Sequence, residues 1–102
     1  MFVTLWEYEV KPGCEEQFGK VYGAEGDWTK LFRKDRNYQE TRLLRDVARP
    51  AIYLTLDFWG SRQAYERFLE VHAAEYKALD AEGEKLTLGE RRIGWYEMVV
   101  SQ

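Results

Sequence analysis

Two apolar, aromatic-rich segments bracket the chain, and neither has a clean polar face. Phe2 to Val10 reads as a strand, and so does Arg91 to Val99. A half-buried strand alternates apolar with polar residues, because successive side chains point to opposite faces. In the first segment Trp6, Tyr8 and Val10 share one face, while Val3 and Leu5 share the other. A sheet built from such strands requires cover on both sides. A chain of 102 residues with few helices covers one side well. The other is expected to meet a second copy. At this length only about two thirds of the unfolded surface is buried on folding, so self-association adds real stability.

Between the brackets the punctuation is readable. Lys11-Pro12-Gly13 stops the first strand. Cys14, Phe18, Val21 and Tyr22 form one helical stripe over about 14–22. After Gly23 to Gly26, Asp27 reads as the N-cap of a short helix with Trp28, Leu31 and Phe32 inward. Asp35-Arg36-Asn37 is a turn. A strand is expected from about Tyr38 to Asp46, a loop through Val47 to Pro50, and a second strand from about Ala51 to Trp59. In that strand Ile52, Leu54, Leu56 and Phe58 form an apolar face, and Tyr53, Thr55, Asp57 and Trp59 a mixed one. The short linker predicts an antiparallel hairpin. Ser61 is the expected N-cap of the main helix. Its inner stripe is Ala64 or Tyr65, Phe68, His72, Tyr76 and Leu79, with Leu69 and Val71 alongside. Glu84 to Leu88 is expected to extend this helix by a turn before the final strand.

The order is strand, helix with a short second helix, strand, strand, helix, strand. It predicts one α+β domain over 1–102 with the ferredoxin-like β-α-β-β-α-β pattern: a four-stranded antiparallel sheet with helices on one face. Two such sheets packed face to face give a dimeric α/β barrel, with a self-complementary contact if the dimer is two-fold symmetric. Tyr53, Trp95 and Tyr96 are expected on the dimer face.

Composition excludes several classes. The net charge of −3 and the scatter of basic residues among acids argue against nucleic acid as a partner. An RNA-recognition domain shares this element order, but the strand 52–59 lacks the required Gly-aromatic run and carries an acid. No apolar run approaches the roughly 18 residues that span a bilayer. No basic, apolar leader is evident, and a single cysteine, Cys14, permits no intrachain disulfide, so a cytoplasmic protein is expected. One His and one Cys far apart predict no metal site. Phosphate-loop and nucleophile-elbow motifs are missing.

Three segments carry a resemblance that spans nearly the whole chain. They are the opening strand into Val10-Lys11-Pro12-Gly13 and a helix with Phe18, the run Tyr53 to Trp59 followed by Gly60-Ser61-Arg62-Gln63-Ala64-Tyr65, and the helix with Phe68 and His72. In these the chain resembles the dimeric α/β-barrel superfamily, in its antibiotic biosynthesis monooxygenase-like branch. The resemblance implies a homodimer joined through the sheet faces, with a mostly apolar cavity in each subunit for a small apolar or aromatic ligand. Some relatives oxidise polycyclic phenols to quinones with molecular oxygen and no metal or flavin, so no cofactor is expected. Others degrade haem with a helix His and an Asn on the first strand, where this chain has Glu7 and Glu9.

Candidate site residues follow. His72 matches the helix His of relatives, and it is the candidate catalytic base for a phenol proton; the alternative is a core histidine bonded to a backbone carbonyl or a tyrosine. Trp59 matches the junction Trp that lines the cavity in relatives, or serves as a core or interface anchor. Phe68, Tyr76, Trp28 and Phe32 complete the candidate substrate-binding set, with core packing as the other reading. Asp57 lies among apolar residues and calls for a partner, so a structural ion pair with Arg42, Arg45 or Arg92 is expected ahead of a catalytic role. The functional expectation is a cofactor-independent monooxygenase acting on a small aromatic or polyketide-like molecule. The alternative is a non-catalytic ligand-binding or interaction protein on the same fold.

Overall fold

The computed structural model describes residues 1–100. The chain forms β1 (Phe2–Val10), α1 (Glu15–Tyr22), α2 (Asp27–Phe32), β2 (Tyr38–Arg45), β3 (Ile52–Trp59), α3 (Arg62–Val71), α4 (Ala73–Glu84) and β4 (Thr87–Glu97). The strands make one antiparallel sheet in the order β2-β3-β1-β4, and the helices lie on one side of it. This is the ferredoxin-like α+β architecture. Among the described residues no helix is long and apolar enough to cross a membrane.

Local chemistry explains most boundaries. Gly13 ends the first strand in the left-handed region at φ +87°, where a side chain is strained. Its amide donates to Glu15 Oε1 at 3.1 Å. Ser61 caps α3, its Oγ accepting from the Ala64 amide at 3.1 Å.

Register decides the faces. Phe2, Thr4, Trp6, Tyr8 and Val10 of β1 look toward the helices. Paired residues on β3 and β4 follow them: Thr4 lies opposite Asp57 and Trp95, Tyr8 opposite Tyr53 and Glu90. The core gathers under the helices. Trp59 and Phe68 are fully buried at its centre, 5.1 Å apart between rings, with Phe32 and Tyr65 against Trp59. The opposite face of the sheet carries Val3, Leu5, Leu54, Leu56 and Phe58, and among the described residues no helix lies over it. Leu44 and Tyr96 on that face are each 49% exposed.

Four expectations are corrected. Tyr53 and Trp95 belong to the helix-covered face and pack on the core, because their registers match Tyr8 and Thr4; only Tyr96 faces outward. The main helix is two helices. His72 leaves helical geometry at φ −110°, ψ 28°, and Val71, the last residue of α3, is 68% exposed rather than alongside the core. Helix α4 stops at Glu84, since the Leu86 carbonyl accepts the Lys11 amide and draws the chain into β4 at Thr87. Gly26 occupies the N-cap of α2 with Asp27 as the first helical residue, where its charge still complements the helix N-terminus.

Candidate functional site

Strand register assembles a polar row on the covered face of the sheet. Asp57 on β3 has Thr4 of β1 on one side and Thr41 of β2 on the other. Thr41 Oγ1 donates to Asp57 Oδ1 at 2.6 Å, and Thr4 Oγ1 donates to Oδ2 at 3.4 Å. Thr41 Oγ1 also lies 2.7 Å from the Tyr38 hydroxyl. Among the described residues Asp57 has no ion pair, which corrects the expectation of an arginine partner. Arg42 instead pairs with Glu40 at 2.8 Å, and the Arg92 guanidinium lies 4.2 Å from the centre of the Trp95 ring. Burial without a counter-charge pushes the Asp57 carboxyl up from its ordinary 3.8 to about 6, against the pull of the Thr41 and Thr4 hydroxyls.

Asp57 sits in the wall of a cleft between the sheet and the helices. Trp6, Tyr8, Thr41, Thr55 and Glu90 line it from the strands. Tyr22, Trp28, Phe32, Tyr65, Tyr76 and Asp80 line it from all four helices. The clear space inside the cleft measures about 30 Å³. That clear space holds about one or two waters, so an aromatic ring enters only if lining side chains move. The lining phenols hold their protons firmly. Burial, then the negative charge of Asp57, pushes Tyr65 up to about 12. Burial likewise raises Tyr8, Tyr22 and Tyr76. Three carboxyls line the cleft as well: Asp57, the buried one, and Asp80 and Glu90 toward its edge, which burial also raises.

The sequence-derived candidates separate in space. Trp28, Phe32 and Tyr76 meet in the lining, with the Trp28 and Tyr76 rings 4.8 Å apart. Trp59 and Phe68 stand behind Phe32 in the core, outside the lining. His72 faces a separate surface groove formed with Lys34, Asp35, Arg36, Asn37, Arg67 and Val71. Its Nδ1 lies 2.8 Å from Glu75 Oε1, its ring packs 4.8 Å from Phe68, and Glu75 also pairs with Lys34. Sequence reading missed Thr41, Thr55, Tyr8, Tyr22 and Tyr65 as lining residues. For Tyr8, Thr41 and Thr55 the signal was the strand register, which brings them onto one face, and for Tyr22 and Tyr65 it was their place on the inner stripes of α1 and α3.

Comparison with solved structures places the fold. SnoaB, described as a cofactor-independent oxygenase from Streptomyces nogalater, superposes with a TM-score of 0.79 at 15% identity, covering 98% of this chain and 94% of that one. A candidate antibiotic biosynthesis monooxygenase from Nitrosomonas europaea gives a TM-score of 0.73 at 15% identity, covering 98% and 100%. A conserved protein from Methanosarcina mazei Go1 gives 0.69 at 11% identity, covering 93% and 89%. At these identities the likeness is one of fold. No curated protein matches the chain in sequence. Residues 1–79, from β1 into α4, match the family model described as antibiotic biosynthesis monooxygenase, and the chain belongs to that family.

Proposed function

We propose that the chain is a monooxygenase acting on a small hydroxylated aromatic or polyketide-like molecule with molecular oxygen and no metal or flavin. One observation carries this reading: among the described residues Asp57 is a buried carboxylate with no ion pair, in an aromatic-lined cleft, and burial pushes its carboxyl up to about 6. A base poised near the working pH is largely ionised and still a strong enough acceptor to take a proton. Asp57 accepts the proton of a ring hydroxyl. The negative charge spreads to a ring carbon, which is then oxidised by dioxygen. One oxygen atom stays as a new carbonyl, and the other leaves as water with the hydrogen of that carbon and the hydroxyl proton that Asp57 took up. The substrate supplies all four electrons, so no external reductant enters. Trp28, Phe32 and Tyr76 grip the ring, Trp59 and Phe68 back them from the core, and the aromatic walls keep water from the reacting carbon. The family, and the likeness to SnoaB, a cofactor-independent oxygenase, support the same reading.

The same reading makes the protein a homodimer joined through the uncovered sheet face. The chain is a slab of 38 × 37 × 21 Å. Its 6650 Å² of accessible surface exceeds the roughly 6000 Å² usual for a monomer of this mass. The half-buried aliphatic patch of Leu5, Leu54 and Leu56, with Leu44 beside it, gives this face its reason to be covered.

The test is oxygen uptake by chelator-treated protein across a panel of anthrones, hydroquinones and other phenols, with labelled dioxygen to trace the inserted atom. Uptake with one label per product supports the proposal. No uptake across the panel overturns it. The small clear volume favours a second reading, a ligand-binding protein without turnover. Recovery of unchanged ligand after long aerobic incubation identifies that case.

A further inference from the structure

The Asp57 carboxylate is held by a chain of hydroxyls that runs one way. Thr41 Oγ1 stands between two partners, Asp57 Oδ1 at 2.6 Å and the Tyr38 hydroxyl at 2.7 Å. A threonine hydroxyl has one proton to give, and an ionised carboxylate only accepts, so that proton goes to Asp57. The Tyr38 hydroxyl must then donate to Thr41, because two oxygens this close share a proton. Tyr38, Thr41 and Asp57 are all buried. Thr29 of α2 is the other hydroxyl beside Tyr38, and it donates its own proton to the Gly23 carbonyl at 3.1 Å.

The two carboxylate oxygens are therefore unlike. Oδ1 receives a short bond from a hydroxyl that the next hydroxyl polarises. Among the described residues Oδ2 meets the Thr4 hydroxyl alone, at 3.4 Å, beyond the usual O–H···O range. Register sets both threonines opposite Asp57, Thr41 on β2 and Thr4 on β1, yet Tyr38 backs only Thr41. The titratable groups nearest Asp57 are phenols: Tyr8 from β1, Tyr38 from β2, Tyr65 from α3 and Tyr76 from α4. Burial raises all four, so they stay neutral beside it. Asp80 and Glu90 stand toward the edge of the cleft, and among the described residues no Lys, Arg or His lines it. The hydroxyl chain is thus the main polar support of the ionised carboxylate.

We propose that Tyr38 and Thr41 are positioning residues for Asp57: they hold the carboxylate by Oδ1 and leave Oδ2 as the oxygen that takes up the substrate's proton. The inference rests on the reading of Asp57 as the proton acceptor. Thr41 acts directly, and Tyr38 acts through Thr41. Donors on Oδ1 favour the ionised carboxylate. With the proton on Oδ2, Oδ1 still accepts from Thr41 as the carbonyl oxygen of a neutral acid. The carboxyl therefore takes and returns a proton without swinging.

The test is carbon NMR of the full chain with aspartate labelled at the carboxyl, the Asp57 signal being the one that Asp57→Asn removes. Its titration midpoint is expected at about 6 in the parent. Thr41→Val is expected to raise the midpoint by about one unit, a roughly ten-fold gain in proton affinity. Thr41→Ser, which keeps the hydroxyl, is expected to stay within about two-fold of the parent. Tyr38→Phe is expected to raise the proton affinity about two-fold in the parent and to add nothing in Thr41→Val. Thr4→Val is expected to change it about two-fold or less. Circular dichroism checks that each variant folds. A midpoint unmoved by Thr41→Val, a Tyr38→Phe effect of equal size in both backgrounds, or a Thr4→Val effect matching that of Thr41→Val overturns the inference. Oxygen uptake is recorded separately. The expected NMR shifts without any uptake overturn the monooxygenase reading alone, and uptake with unmoved midpoints overturns this inference alone.

Discussion

Replacing Asp57 by Asn separates the cost of this carboxylate from its use. In the folded protein its carboxyl titrates at about 6, against 3.8 for the ordinary group. Below about pH 3.8 both states hold the proton, and the ionised group costs nothing. Between those values the folded state keeps a proton that the unfolded chain has shed, so stability falls as pH rises. Above about pH 6 the loss is complete. At 1.36 kcal/mol per unit the gap amounts to about 3 kcal/mol. Asn is nearly isosteric and neutral, and its amide can still meet the Thr41 and Thr4 hydroxyls. D57N is therefore expected to melt on the order of 10 °C above the parent at pH 8 and within a few degrees of it at pH 4. Circular dichroism melts of both proteins across that range measure the difference directly, and the comparison cancels the other titrating groups. An offset that is constant with pH refutes the reasoning. A D57N protein less stable than the parent at pH 8 refutes it as well, because the ionised carboxylate would then be stabilising.

Other substitutions probe other parts of the account. Ser61→Ala removes the acceptor of the Ala64 amide and is expected to cost about 1 kcal/mol in urea denaturation. Leu54→Lys with Leu56→Lys places charge on the uncovered sheet face; light scattering should then report 12.1 kDa monomers where the parent reports a dimer. His72→Gln is expected to leave oxygen uptake within about two-fold of the parent, since His72 faces the groove with Glu75 rather than the cleft. Gly83→Ala would drive a methyl carbon into the Tyr22 hydroxyl. Tyr22 is a buried cleft residue, so the variant is expected to lower the melting temperature despite the better helix propensity of Ala.

Much of the fold was legible because it is written in local chemistry. Pro12-Gly13, Ser61 and the alternation through Ile52 to Trp59 each act within a few residues, and the structure keeps all three. The choice of face was harder. Alternation sorts Tyr53 from Leu54, but only pairing with β1 puts Tyr53 opposite Tyr8 and so under the helices. The break at His72 left no mark in the sequence, which has neither Pro nor Gly there. The candidate site was half legible for the same reason. Trp28, Phe32 and Tyr76 advertised themselves by helical spacing, and all reach the cleft. Asp57 stood out as an acid in an apolar strand, but its partners could not be read. Thr4 lies 53 residues away and Thr41 lies 16 away, and only sheet register joins them to it.

The pH dependence of oxygen uptake at limiting substrate tests the central claim most directly, with the parent and D57N measured side by side on the best phenol of the panel. If Asp57 is the base, kcat/KM of the parent rises with a midpoint at about 6, and D57N loses both the rate and that limb. A parent profile flat from about pH 5 to 7, or a D57N protein that keeps the parent's rate, contradicts the account and moves the proton acceptor elsewhere.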